Sequence, residues 1–541
     1  MRNHILDRTG YGWDEWTRAR IATLGVQGYI NEQLSPASID ESTNTELNNR
    51  RAALGTLDRV QELQGLDLIN AVYARRQLEE QVAMFWTNHF NTDYRESTAF
   101  FGVYQNCAAY TDCVTYPDCC NLTRPQKSTQ LHYLDVENFR DLAFNGSFRE
   151  ILEESALGPA MIIYLDTNVN VRSAPNENFA RELLELHTLG VTGGYTQQDI
   201  VELARVFTGW NVCKKTDANA GDPLAACIPN SQIGQVPPTP ANKEPAGQWV
   251  ANFRPNQHDN GQKILFQGTD YQKIIPATPL NSSQGINDAY MALDDIVAHP
   301  SAPAFIAKKL LQKFVTETPT QAMIDAVVAE WNDPTNPNSG TCSGTPLRCQ
   351  GDLREVLRAV LAQAELLNPD QVHEKIKTPF EHVASSLRAT RGKTDGFTGV
   401  LVDPLARGGY LSRMQELFHQ NPVPTGYSEL GGDWVDTGNL LERQNWGMDL
   451  TSRTATNYGN DIIGLLQANG IPTTPGTPAN APAIVDFFTD VLFGGALTPA
   501  ERQDAIDYLT TDDNGVPTNF NDARIRETVG FLMGYAQFLE Q

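Results

Sequence analysis

The chain has 541 residues, 40% of them hydrophobic, and its Asp and Glu outnumber Lys and Arg by 65 to 41. That length can bury a large core and fill roughly two to four domains, and no run of about 18 apolar residues is present to span a membrane. The net charge of −24 repels phosphate backbones and anionic lipid, so nucleic acid and membrane surfaces are poor partners; solubility is the simpler reading of the acidity.

Helical periodicity then dominates along the chain. The opening MRNHILDRTGYGWDEW (1–16) lacks an apolar h-region, so no export signal is read there. Residues 16–34 predict a helix, a glycine break and a second short helix. Residues 56–90 predict a long helical stretch broken near Gly65. The segment 136–166 predicts two or three helices. NENFARELLELHTLG (176–190) predicts one helix ended by Gly190 in the left-handed conformation. GGYTQQDIVELARVFTGW (193–210) opens with Thr196 as cap and Asp199 three residues on, a capping box, followed by Ile200, Leu203, Ala204 and Phe207 at helical spacing.

The Pro-, Asn- and Gly-rich residues 211–260 predict an insertion or long loop, and KILFQG (263–268) a short strand. Residues 287–315 predict two helices broken at His299-Pro300. A loop over 332–351 precedes helical sequence to Arg391. The stretch 392–436, rich in Gly, Pro and Trp, reads as a hinge, and further helices surround a Pro/Thr/Ala loop at 469–482. The fold class expected is all-α, with little β-structure and long decorated loops. The main helical domain is expected over 1–391, with insertions near 105–125, 211–260 and 332–351, and a C-terminal helical region over 392–541 packed on it.

All eight cysteines lie in polar loop sequence with no histidine beside them, which favours disulfides over zinc and an oxidising compartment over the cytosol. Cys213 pairs with Cys227, and Cys342 with Cys349, because each pair closes a short loop. Cys107, Cys113, Cys119 and Cys120 make two further bridges of open connectivity. With no signal visible, export implies a removed precursor segment or another route.

The 176–190 helix divides into two arcs at ~100° per residue. Phe179, Ala180, Leu183, Leu184 and Leu186 fill one; Glu177, Asn178, Arg181, Glu182, Glu185 and Thr188 fill the other, with Arg181 and Glu185 as an i,i+4 pair. His187 falls in the middle of the apolar arc. In QLEEQVAMFWTNHF (77–90) the stripe Leu78, Val82, Phe85, Trp86 and His89 turns a second histidine inward, next to Asn88. A buried imidazole needs partners for both ring nitrogens. A third polar cluster, NQHDNGQK (256–263), presents His258, Asp259 and Lys263 on a loop. His89, His258, Asp259 and Glu182 could ligate one divalent transition metal. Acid–base chemistry without a metal and a purely structural polar core remain open beside it.

Several stretches resemble, in order, the signature blocks of the bacterial family called domain of unknown function 1800. They are HILDRTGYG (4–12), FWTNHF (85–90), NENFARELLELHTLGVTGGYTQQDIVELARVFTGW (176–210), HDNGQK (258–263), HPSAPAFIAKKLLQKFV (299–315), KIKTPFEHVASSLRATR (375–391) and LFHQNPVPTGY…W (417–434). The chain carries Gly426-Tyr427 where the family usually has Gly-Trp. The resemblance implies an exported bacterial protein, often encoded beside a second exported family, with no established activity. It places Asn88, His89, Asn176, Glu177, Asn178, Arg181, Glu182, Glu185, His258, Asp259 and Lys263 inside the family pattern.

Two functions are expected from different classes. The first is a hydrolase acting on an extracellular substrate. Glu182 or Glu185 would be its general base, His89 and His258 metal ligands or proton shuttles, and Arg181 and Lys263 the holders of an anionic group. The second is a non-catalytic surface or assembly protein that binds another exported protein or itself, with the same polar blocks serving folding; asparagines at a helix start are also good caps.

Overall fold

Helix formation begins at capped starts. Asp14, Ser147, Thr196, Thr378 and Thr498 each accept a hydrogen bond from the third helical N–H while the residue there bonds back to the cap. The computed structural model describes residues 1–102, 124–229, 247–333, 351–368, 374–402, 408–512 and 514–541. Within them the protein is mainly α-helical. Its β-structure there is three two-stranded antiparallel ladders: Trp210–Lys215 with Gln248–Phe253, Lys263–Leu265 with Lys273–Ile275, and Lys393–Thr394 with Tyr458–Gly459. No described helix is long and apolar enough to cross a membrane.

Many predicted elements stand. Gly25 (φ 70°) kinks the Glu15–Gln33 helix at the expected break. The 136–166 segment carries the end of the Arg124–Asn145 helix, then the Phe148–Ala156 and Pro159–Tyr164 helices. Helices Asn287–Val297 and Ser301–Phe314 flank His299-Pro300.

Three expectations are corrected. The break in 56–90 falls at Ala74, whose backbone is extended, and not at Gly65, which is buried within the Val60–Tyr73 helix. Gly65 is there for close approach: a Cβ would lie 3.2 Å from Phe397 Cε1 and 3.4 Å from the Gly396 carbonyl. Residues 211–260 are not all loop. They hold most of the first ladder, in which Trp210 opposes Phe253 and Lys215 opposes Gln248; the two strands flank the Pro-rich stretch, whose composition masks them. The 176–190 helix is α only over Asn178–Glu182 and becomes a π-helix over Leu183–Thr188.

The largest apolar cluster runs from Ile5 and Leu6 in the first helix, through Trp86, Phe148 and Leu310, to Phe488 and Phe538 near the other end of the chain. A second joins Tyr11 and Leu68 to Phe380, Met414 and Trp446.

One of the expected disulfides, Cys213–Cys227, is present, with the Cα atoms 5.9 Å apart across a separation of 14 residues. Cys107, Cys113, Cys119, Cys120, Cys342 and Cys349 lie outside the described residues. Closing a loop of that length restricts the unfolded chain by about 3 kcal/mol. A Cys213→Ser, Cys227→Ser variant should therefore lose up to about 3 kcal/mol in urea unfolding, and reductant should reduce the difference from the parent.

Candidate functional site

The π-helix repositions the residues that the sequence singled out. Its wider turn shows in the Leu189 N–H bonding the Leu184 carbonyl at 2.9 Å and in Thr188 Oγ1 donating to the Leu183 carbonyl at 2.5 Å. Thr188, expected on the polar arc, is buried, while Leu186, expected on the apolar arc, is half-buried. A turn with i→i+5 bonding rotates side chains away from the 100° positions of an α-helix. His187 stays inward, 1% exposed.

His89 ends the Gln77–His89 helix against this turn. Its Nε2 donates to the His187 carbonyl at 2.9 Å. A carbonyl can only accept, so in the neutral ring Nδ1 carries the lone pair, and Nδ1 is buried without a partner among the described residues. Burial, then Lys309 and His187, holds His89 well below the ordinary histidine range. Burial and Lys309 bring His187 down to about 3.

Lys309 projects from the Ser301–Phe314 helix into the wall between two adjoining cavities. The larger, about 530 Å³, is lined by residues that include Gly190–Gly193, Phe305, Lys308, Lys309 and Gln312. The smaller, about 280 Å³, is lined by residues that include Asn88, His89, Lys309, Gln312, Tyr427 and Glu429. Lys309 lies 5.7 Å from the centre of the Phe305 ring, and among the described residues it makes no hydrogen bond or ion pair. Burial lowers its pKa, against the pull of Glu429.

The rest of the cleft is built from the late family block. Asn88 clamps the loop: Nδ2 donates to the Tyr427 carbonyl at 2.8 Å and Oδ1 accepts the Tyr427 N–H at 2.6 Å. Gly426 must be glycine, since its φ is +70° and a Cβ would meet the Asn88 carbonyl oxygen at 2.2 Å. The Tyr427 hydroxyl donates to the Leu417 carbonyl at 3.0 Å, and burial pushes it up to about 12. Glu429 lies 3.4 Å from Lys313 and 3.7 Å from Lys375.

His258, Asp259 and Lys263 belong to a different cluster. His258 Nδ1 bonds the Thr208 carbonyl at 2.8 Å, and Nε2 lies 3.1 Å from Asp288 Oδ2. Lys263 Nζ reaches the same Asp288 oxygen at 2.5 Å and also bonds the Asp259 carbonyl. Asp259 is held by Arg205 through contacts of 2.9 and 3.1 Å. His258 and Lys263 are both 0% exposed. Gly285 packs on the imidazole so closely that a Cβ would lie 2.4 Å from His258 Cδ2. The loop expected to offer chemistry is thus a sealed ionic staple joining three segments.

The expected sets do not come together. Glu182 and Glu185 are half-buried and, among the described residues, make no hydrogen bond or ion pair; burial and then Glu185 raise the Glu182 pKa, against Arg181. Arg181 pairs with Glu177 at 3.1 Å rather than with Glu185. Asn176 caps, its Oδ1 accepting the Asn178 N–H at 2.9 Å. His89, His258, Asp259 and Glu182 do not share one cluster, and no group of three or more His, Cys, Asp or Glu among the described residues could hold a metal ion. Sequence reasoning missed Lys309, Glu429, Asp288 and Arg205. Lys309 and Arg205 sit inside quoted family blocks but carry no local spacing signal.

The family model described as "Protein of unknown function (DUF1800)" matches residues 4–111 and 120–539, and the chain belongs to that family. No curated protein matches the chain, and no solved structure does.

Two stability measurements test this account. Asp288→Ala leaves Lys263 buried and unpaired and should cost about 3–5 kcal/mol in denaturant unfolding. The folded pKa of His187 is lowered to about 3, so between the ordinary value and that one the unfolded chain binds a proton that the folded chain refuses. Its contribution to stability is intact above about pH 6.5 and is lost as pH falls towards 3. Between pH 7 and 5, His187→Phe should therefore lose about 2 kcal/mol less than the parent; equal losses would show that His187 does not titrate this way.

Proposed function

We propose that this family member binds an anionic ligand in the cleft between His89, Lys309 and the 425–430 loop, and that it works outside the cytoplasm. The observation that carries the reading is Lys309: a half-buried ammonium without an ion-pair partner among the described residues, at the wall shared by two cavities. Ligand sites are concave and mostly apolar, with a few convergent polar groups. A carboxylate or phosphate group on the ligand would supply the missing counter-charge for Lys309. It would also relieve the electrostatic pressure that Lys309 exerts on His89 and His187. The Cys213–Cys227 bridge supports an oxidising compartment.

The unpartnered Nδ1 of His89 favours a second, catalytic reading of the same cleft. In a hydrolase, that lone pair would accept a proton from an attacking water, and an anion on Lys309 would raise the basicity of the ring. Glu429, rather than Glu182 or Glu185, is the carboxylate lining the cavity.

The test is a binding screen of small carboxylates and organic phosphates by thermal shift and calorimetry, on the parent and on Lys309→Met. Ligands that stabilise the parent should bind the variant at least about tenfold more weakly, the loss of one charge-assisted contact. Equal affinity in both proteins, or no ligand for the parent, would sink the binding reading. Any ester-hydrolysing activity found with such ligands should be abolished in His89→Gln while binding persists.

A further inference from the structure

Behind Glu429 two buried cations lack hydrogen-bond partners among the described residues. Arg8, the last residue of the first helix, is 2% exposed, and none of Nε, Nη1 and Nη2 has a hydrogen-bond partner among the described residues. Lys375 is 0% exposed, and among the described residues its Nζ makes no hydrogen bond and approaches one carboxylate, Glu429 Oε2, at 3.7 Å. The two belong to one neighbourhood. Lys377 Nζ lies 3.6 Å from Asp7 Oδ1, which holds the end of the first helix against the 375–378 segment. Arg8 and Lys375 also both feel Glu381 as their strongest neighbouring charge.

Of the carboxylates that act on Arg8, Glu381, Glu317 and Asp7 are engaged by other groups, and Glu374 is exposed to solvent. Glu381 Oε1 takes Lys313 Nζ at 2.7 Å, and Oε2 takes the Thr378 N–H at 2.9 Å and Gln541 Nε2 at 3.1 Å. Glu416 accepts the Phe380 N–H at 2.7 Å, and burial drives its carboxyl up to about 7, so it is only partly charged at neutral pH. Glu317 accepts the Gly431 N–H at 2.9 Å. On the far side, Arg443 adds two more orphaned nitrogens, Nη1 and Nη2.

Buried donors in native proteins are nearly always met, and unmet ones point to a water or ion. A guanidinium presents its N–H groups as a planar fork matched to two oxygens of one oxyanion, and an ammonium can take a third as a point charge. We propose that Arg8 and Lys375 form an internal binding site for a small oxyanion, phosphate or sulfate, that locks the first helix to the 375–378 segment. The site is separate from the Lys309 cleft; Glu429 lines the cleft and contacts Lys375.

The direct test uses crystals of the full chain grown in selenate, a sulfate isostere, with data collected at the selenium edge. The expected result is an anomalous peak within hydrogen-bond distance of Arg8 and Lys375 that is absent in Arg8→Met. In solution, inorganic phosphate should raise the parent's Tm with saturation, and the apparent Kd should weaken at least tenfold in Arg8→Met. Lys375→Met carries the same comparison should the arginine variant fail to fold. Water alone at Arg8, or a phosphate response unchanged in both variants, overturns the proposal. So does a selenate peak at Lys309 with none at Arg8, which would support the cleft reading while removing this one.

Discussion

Lys313 and Glu381 meet at 2.7 Å with their side chains almost sealed from solvent, and the segments around the candidate cleft converge on that contact. Moving either charge out of water costs more than a lone partner returns, so each needs further polar contacts. Glu381 finds them at its own helix start, through the Thr378 capping box, and in the Gln541 side chain. Lys313 finds a second carboxylate in Glu429. The pair therefore gathers the Ser301–Phe314 helix, the Pro379–Ala389 helix, the 425–430 loop and the last residue of the chain. The cleft at Lys309 lies one helical turn away on the first of these.

The protein uses buried polar groups in two ways. Around His258 the ionic groups find opposites: Lys263 pairs with Asp288, which also bonds the imidazole, and Asp259 is forked by Arg205. Such a set specifies one packing and leaves little over for a ligand. Among the described residues, Lys309 and Arg8 have no hydrogen-bond acceptor, and the His89 Nδ1 lone pair has no donor. Unmet polarity inside a well-packed protein is the mark of a place where something else binds. The same family resemblance covers both kinds of region, so membership in a block does not tell a staple from a site.

Much of the fold was legible because its causes are local. The capping box at Thr196, the His299-Pro300 break and the Gly25 kink follow from the chemistry of neighbouring residues. The failures are instructive for the same reason. Gly65 looked like a break because glycine weakens an isolated helix, but it serves a contact with Phe397 far along the chain. The π-turn at Leu183–Thr188 changes the bonding step of the backbone, and a fixed 100° rotation cannot register it.

The site divides along the same line. Periodicity alone turned His89 and His187 inward, and both are buried; their identity and burial were set by the spacing of their apolar neighbours. That His89 would bond the His187 backbone, that Lys309 would stand beside both with no ion pair among the described residues, and that His258 would be tied to Asp288 instead of joining them were decided only by tertiary packing. Helical spacing fixes which face of one element a residue occupies. The partner of a charge is fixed by which faces of distant elements meet, and those separations of tens to hundreds of residues leave no periodic trace in the chain.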